Sequence, residues 1–293
     1  MSRACLALAT ALLLLCGNAL LGGEPMEAIL VVPHKHVRTA KARAALPAQV
    51  PPRGDYAFTD VNVIPMDSER VLENQTVLVE GDRIIAVGPA DDVEVPDGAT
   101  RIDGTGKYLM PGLAEMHGHI PPPTADPAFI DNVLFLYVAS GITTVRGMLG
   151  HEGQLALREQ ANSSQILSPT LYLAGPSFNG NSIGSPEEAA AKVRQQKAEG
   201  WDLLKIHPGL TRAEYDAMAE TAVEEGIRFG GHVPTDVGLL HAIEMGQETF
   251  DHLDGYVEYL LQVNPDEVDE DALADIVNRT ISAGAWVIPT MAL

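Results

Sequence analysis

From Pro111 onward the chain alternates short apolar runs with longer stretches whose apolar residues recur at helical spacing. The runs are LAEMH, ITTVRG, TLYLAG, LLKIH, IRFGGH, ETFDH and WVIPT. Comparable points in them lie about 20 to 37 residues apart, the length of one strand-plus-helix unit. The helices between them carry their own boundary signals. SPEEAAAKVRQQKAEG opens on a capping Ser185, has acid in its first turn and stops at Gly200. TRAEYDAMAETAVEEG repeats the scheme from Thr211 to Gly226. Regular β–α alternation predicts a parallel sheet covered by helices. A glycine-rich dinucleotide fingerprint does not follow the first run, so a (β/α) TIM-type barrel is expected rather than a doubly wound sheet. Such a barrel closes with eight strands; seven can be counted, and the sequence stops at WVIPTMAL, on the seventh. The expected fold class is therefore α/β, an incomplete barrel over residues 111–293 of a C-terminally truncated chain.

Residues 56–110 have a different pattern. YAFTDVNVIPM, QTVLVEGDRIIAVGP and ATRIDGTGKYLM are short β-rich runs separated by turn signals such as EGD and DGTG. QTVLVEGDRIIAVG reads as a hairpin, and the whole as the N-terminal part of a small β-sandwich. Residues 20–55, rich in Pro, Ala and base, read as a linker or arm. The first 19 residues read as a secretory signal peptide: an early Arg3, an apolar run, and small residues at Gly17 and Ala19, with cleavage after Ala19. Leu15 stands before Cys16 where a lipid-attachment signal needs a small residue. Export, to the periplasm or beyond the cell, is the expected localisation, with no stable membrane insertion once the leader is removed.

Composition narrows the chemistry. The net charge of -21 repels phosphate backbones, so nucleic acid is not an expected partner. Both cysteines, Cys5 and Cys16, lie in the leader, which leaves the mature chain without disulfide or thiolate chemistry. Oligomeric state is left open, a homo-oligomer included.

The nine histidines are not equivalent. His117 and His119 end the first strand, and residues two apart on a strand face the same side. His232 ends the fifth strand in RFGGHVP and His252 the sixth in TFDHLDG; Lys205 lies in the fourth, in DLLKIHPG. Four histidines and a lysine thus gather at one rim of the barrel, where barrel enzymes keep their sites. Such a set suits a metal centre. Lys205 has apolar neighbours in sequence, a setting that favours a neutral, nucleophilic amine. His207 shares its strand face and is a candidate substrate contact, as is Tyr256. His34 and His36 repeat the spacing of His117 and His119, but in the basic arm, and read as a solvated pair. His151 and His241 fall in helical stretches and read as ordinary.

In order and in strand position, PGLAEMHGH, KIH, GGHVP and DHLDGY resemble the amidohydrolase superfamily, in its imidazolonepropionase-like or prolidase-type subgroup. The resemblance runs from about Tyr56 to the end. It implies a site for two divalent metal ions, usually zinc. His117 and His119 would hold one, His232 and His252 the other, and Lys205, carbamylated, would bridge them. The implied activity is hydrolysis of amide-type C–N bonds in a small molecule, a dipeptide or cyclic amide, by metal-activated hydroxide. A lactonase, phosphotriesterase or deaminase on the same barrel is the alternative, and a catalytically inactive fragment or binding module another. Three departures from the family pattern stand out. Glu115 and Gly147 occupy positions where aspartate is common, and the strand-eight aspartate that shuttles a proton is missing from the sequence. Asp251 and Asp254 flank His252 and are poor substitutes for it in expected position.

Overall fold

A computed structural model describes residues 55–290. The leader, the arm up to residue 54, both cysteines and the His34/His36 pair lie outside the described residues. The β-rich runs form β1 (Tyr56–Val63), β2 (Leu72–Glu80), β3 (Arg83–Pro89), β4 (Thr100–Asp103) and β5 (Tyr108–Leu109). The expected hairpin is present: β2 and β3 pair antiparallel through a two-residue turn, and Gly81 supplies the positive φ of 59° that such a turn requires. These strands make one five-stranded sheet of order β3-β2-β1-β4, with β5 also on β1. Val61, Val63 and Val77 form its buried core, while Ile84, Ile85 and Val87 of β3 remain exposed. Among the described residues these strands make a single sheet.

All seven apolar runs after Pro111 form parallel strands: β6 (Leu113–Gly118), β7 (Ile142–Gly147), β8 (Thr170–Leu173), β9 (Leu203–Ile206), β10 (Arg228–Gly231), β11 (Thr249–Asp251) and β12 (Trp286–Ile288). They pair in the orders β6-β7-β8 and β9-β10-β11-β12. Parallel bridges at Ala174–Leu203 and Phe178–Ile206 join the two sets, so the strands follow one another in chain order. Helices fill the connections: α1 (Pro127–Ala139), α2 (Gln154–Asn162), α3 (Pro186–Glu199), α4 (Arg212–Glu225) and α5 (Leu239–Glu244). Two more, α6 (Tyr256–Val263) and α7 (Glu270–Ser282), separate β11 from β12. The predicted boundaries hold. Ser185 caps α3 by accepting from Glu188 N, Thr211 and Glu214 form a reciprocal capping box on α4, and Gly200 and Gly226 end these helices in left-handed conformation.

The result is an α/β fold with its core between the parallel strands and the helices. Leu204, Ile206 and Phe250 of the strands pack with Tyr215 and Met218 of α4, all essentially inaccessible. Leu134, Val145, Leu171 and Trp201 make a second cluster under α1 and α2. Fully burying a side chain of this size contributes about 1.5–3 kcal/mol, which holds the strand ends in place. Among the described residues no helix is long and apolar enough to cross a membrane.

Candidate metal centre

The C-terminal ends of β6, β9, β10 and β11 bring the predicted residues together. His117 lies in β6, His119 just past it, Lys205 within β9, and His232 and His252 directly after β10 and β11. Their rings form a chain in space. His119 is 5.3 Å from His117 between centroids, His117 is 4.6 Å from His252, and His252 is 4.9 Å from His232. His207 extends the chain, stacked 5.0 Å from His232. Residues from four strands separated by over a hundred positions therefore converge on one volume.

Backbone geometry makes this approach possible. Gly118 separates the first two histidines, and a Cβ there would lie 2.5 Å from Val145 Cγ1. His252 and Leu253 both adopt left-handed conformation, with φ of 60° and 65°. Such conformations are costly for non-glycine residues and cluster at functional sites. Buried Arg146 braces the floor: its Nε donates to Met116 O at 2.9 Å and its Nη2 to Thr249 Oγ1 at 3.1 Å. One side chain thus ties β7 to β6 on one side and to β11 on the other.

Two features correct the sequence reading. Lys205 is not unpaired among apolar groups: Lys205 and Asp251 are both fully buried, and the Lys205 Nζ donates to Asp251 Oδ2. Asp251 also belongs to the site, with Oδ2 lying 3.1 Å from His117 Nδ1. Burial alone would push the Asp251 carboxyl up, but His117 and Lys205 hold it well below the usual carboxylate range. Burial draws the Lys205 ammonium down, and Asp251 opposes that pull. Burial, with Lys205 and His232 beside it, lowers His207 to about 4, so this imidazole is neutral at ordinary pH. Burial likewise lowers His119 and His252.

One hydrogen bond assigns a tautomer, that of His232, because the carboxylate facing its Nδ1 can only accept. His232 Nδ1 lies 2.6 Å from Asp254 Oδ2, and His252 Nδ1 contacts Thr290 Oγ1. A proton on Nδ1 facing an acceptor leaves the Nε2 lone pair free, the state in which imidazole binds a metal. The chemistry of the donor set suits a divalent ion. His117, Asp251 and His252 each offer an atom within 4.8 Å of the others. Asp251 Oδ1 is buried with no hydrogen-bond partner among the described residues, and His117 Nδ1 faces the other carboxylate oxygen at 3.1 Å without a well-aligned hydrogen bond. A buried polar atom left unpaired is costly unless something binds it. The trio cuts across the two histidine pairs implied by resemblance, because His117 and His252 are neighbours.

Tyr256 lies elsewhere. It is buried in the core, its ring edge-on to Phe250 and its hydroxyl 2.7 Å from Thr280 Oγ1 on α7. The expectation that it contacts substrate is therefore corrected: its polar end is already occupied within the fold. His151 precedes α2 rather than lying in a helix, and His241 on α5 is taken up by Asp216 and Arg212.

An adenine deaminase from Chelativorans sp. (strain BNC1) is 28% identical over 200 residues, covering 61% of this chain and 32% of the relative. A 5-methylthioadenosine/S-adenosylhomocysteine deaminase from Symbiobacterium thermophilum is 45% identical over 58 residues, 20% of this chain and 13% of the relative. The chain thus spans a third or less of the length of these curated relatives. Among solved structures, a Xaa-Pro dipeptidase with bound methionine superposes with a TM-score of 0.63 at 20% identity, covering 81% of this chain and 67% of the other. Molinate hydrolase gives 0.65 at 17% identity, with 80% and 63% covered. At such identities these two likenesses speak to the fold. The model of the amidohydrolase family matches residues 108–292, the whole stretch that carries the parallel strands and their histidine rim, and the chain belongs to that family.

Proposed function

We propose that the chain is the metal-binding part of a hydrolase that cleaves C–N bonds in a small molecule. The observation that carries this reading is the buried, unpartnered Asp251 Oδ1 in a group of converging imidazoles. His117, His119, His232 and His252 would hold two divalent ions, with zinc the expected metal, and Lys205 as a carbamate would bridge them. Asp251 joins this set. Ions held there lower the pKa of water towards neutrality and polarise the carbon under attack.

The chain's own residues supply the rest. Asp254 and Thr290 orient His232 and His252 by binding their Nδ1 atoms. Asp251 Oδ1 is an open acceptor inside the site, and a carboxyl held below its usual range stays charged, as an oxygen ligand to an ion must. Neutral His207 stacks beside His232 and offers a hydrogen-bonding edge to substrate. The parallel strands belong to a TIM-type barrel that a further strand would close. Exposed Leu113 and Met116 on β6 and Trp286 on β12, at the two ends of the strand order, support that reading. Export follows from the leader reading.

The curated relatives are deaminases and the structural neighbours include a dipeptidase, so attack on an aminated ring carbon and on an amide carbonyl both fit a C–N hydrolase. Purified protein is expected to hold about two divalent ions per chain by elemental analysis. Chelation should abolish hydrolysis and lower the melting temperature, and full activity in metal-free protein would sink the proposal. Asp254→Asn should weaken metal affinity about 10–100-fold, as read by competition with a coloured chelator. Unchanged affinity would remove Asp254 from its orienting role.

A further inference from the structure

Three glutamines are buried among the described residues: Gln154, Gln196 and Gln247, each at most 2% exposed. Glutamine is mostly a surface residue, and a buried carboxamide has to meet its hydrogen-bonding demand inside the fold. Two of the three meet it beside His119 and His232, the residues at either end of the run of four rings from His119 through His117 and His252 to His232.

Gln247 lies between α5 and β11, its own N–H bonded to Ala242 O on α5 at 3.0 Å. Its Nε2 donates to Thr249 O at 3.0 Å, Gly231 O at 3.2 Å and His232 O at 3.4 Å. The last two carbonyls belong to the peptide groups on either side of the His232 Cα. One amide therefore restrains both planes that set where the His232 side chain leaves the backbone. Its Oε1 accepts from the hydroxyl of Tyr215 on α4 at 2.9 Å, which fixes the way the amide faces. Gln154, the first residue of α2, repeats the arrangement. Its Nε2 donates to Ile120 O at 2.9 Å and Pro121 O at 3.2 Å, the two residues after His119, and its Oε1 accepts from His151 N at 3.0 Å. The loop after β6 is thereby tied to the loop after β7.

We propose that Gln247 and Gln154 are positioning residues, each presetting one half of the metal centre: Gln247 through His232, and Gln154 through His119. This rests on the reading of the four histidines as ligands to two ions. A ligand whose backbone is already held loses less freedom when an ion binds, and the difference appears as affinity. A carboxamide does this with donors and an acceptor and adds no charge beside the ions. Gln154 acts one residue further from its histidine than Gln247 does, so its effect is the smaller.

The test is whether the two glutamines act on different ions. Stepwise affinities are read by competition with a coloured chelator, and cadmium NMR of the fully loaded protein gives each ion its own signal. His119→Ala and His232→Ala identify which signal belongs to which half. Gln247→Met keeps the bulk and removes the hydrogen bonds. It should weaken the ion that His232→Ala weakens by about tenfold, the low end for groups that orient ligands, and leave the other unchanged. Gln154→Met should weaken, several-fold, the ion that His119→Ala weakens. Gln196→Met is the control. Its Nε2 donates to Pro176 O at 2.6 Å, in the loop after β8, which carries no histidine, so both affinities should hold. Where a methionine variant does not fold, Tyr215→Phe, which removes one hydroxyl, and Gln154→Asn, which is too short to span the two loops, should give the same selective losses in weaker form. Unchanged affinities in the Gln247 and Gln154 variants, or equal weakening of both ions by all three glutamine variants, overturns the proposal. Wild-type protein that takes up no divalent ion counts against the metal reading itself, and the proposal falls with it.

Discussion

Lys205→Met is expected to cost the protein its bound metal and a large part of its stability, whereas Lys205→Met combined with Asp251→Leu should regain the stability and not the metal. Lys205 and Asp251 are both fully inaccessible, and each is the other's charged partner. Removing one member of a buried ion pair leaves an uncompensated charge and costs about 3–5 kcal/mol. Replacing both by apolar groups of similar size is often neutral or stabilising by about 1–4 kcal/mol. Urea denaturation in excess chelator isolates the pair's contribution, because metal linkage is then absent. Elemental analysis of the same variants reads the metal role. A single variant that keeps both metal and stability would exclude Lys205 from the centre. A double variant that stays as unstable as the single one would mean the packing around the pair, not its charge, sustains this layer.

Gly231→Ala is expected to be about as damaging, for a steric reason. Gly231 ends β10 with φ of 138°, and an added Cβ would meet Ile206 O at 2.3 Å and Ile206 N at 2.9 Å. Those atoms are backbone of β9, paired in register with Gly231, and His232 N donates to the same Ile206 O at 3.0 Å. The clash cannot be relieved by turning a side chain; β10 must move off β9 and take His232 with it. The expected loss is about 3 kcal/mol together with weakened metal binding. Gly226→Ala is the control. It also has positive φ, 62°, but open space around its Cβ position, so only the backbone cost of about 1 kcal/mol applies. Chemical denaturation of the two variants separates clash from conformational strain. Equal losses would show that the close approach of β9 and β10 is not what the glycine provides.

The histidine rim was legible in sequence residue by residue. His117, His119, Lys205, His232 and His252 were each found in or directly after the strand expected of them, because each lies in or at the end of a short apolar run. Asp251 was not legible. A strand alternates its side chains between faces, so a residue adjacent to His252 should point away from it. The left-handed turn at His252 breaks that alternation and lets neighbours share one site. Tyr256 failed in the opposite sense. It stands in a motif rich in candidate chemistry, yet α6 turns it into the core towards Thr280.

The sequence by itself determined the order of elements, the helix ends, the family and which residues supply imidazole. These are local properties: apolar periodicity, capping residues and glycine stops act over a few positions and need no partner. Only the tertiary structure decided that Lys205 is paired, that Asp251 enters the centre, that His117 and His252 are neighbours, and that β1 to β5 form one sheet. Each of these depends on contacts between segments tens to more than a hundred residues apart. The distance between two strand ends is set by how the core packs beneath them, and no local pattern in the chain encodes that distance.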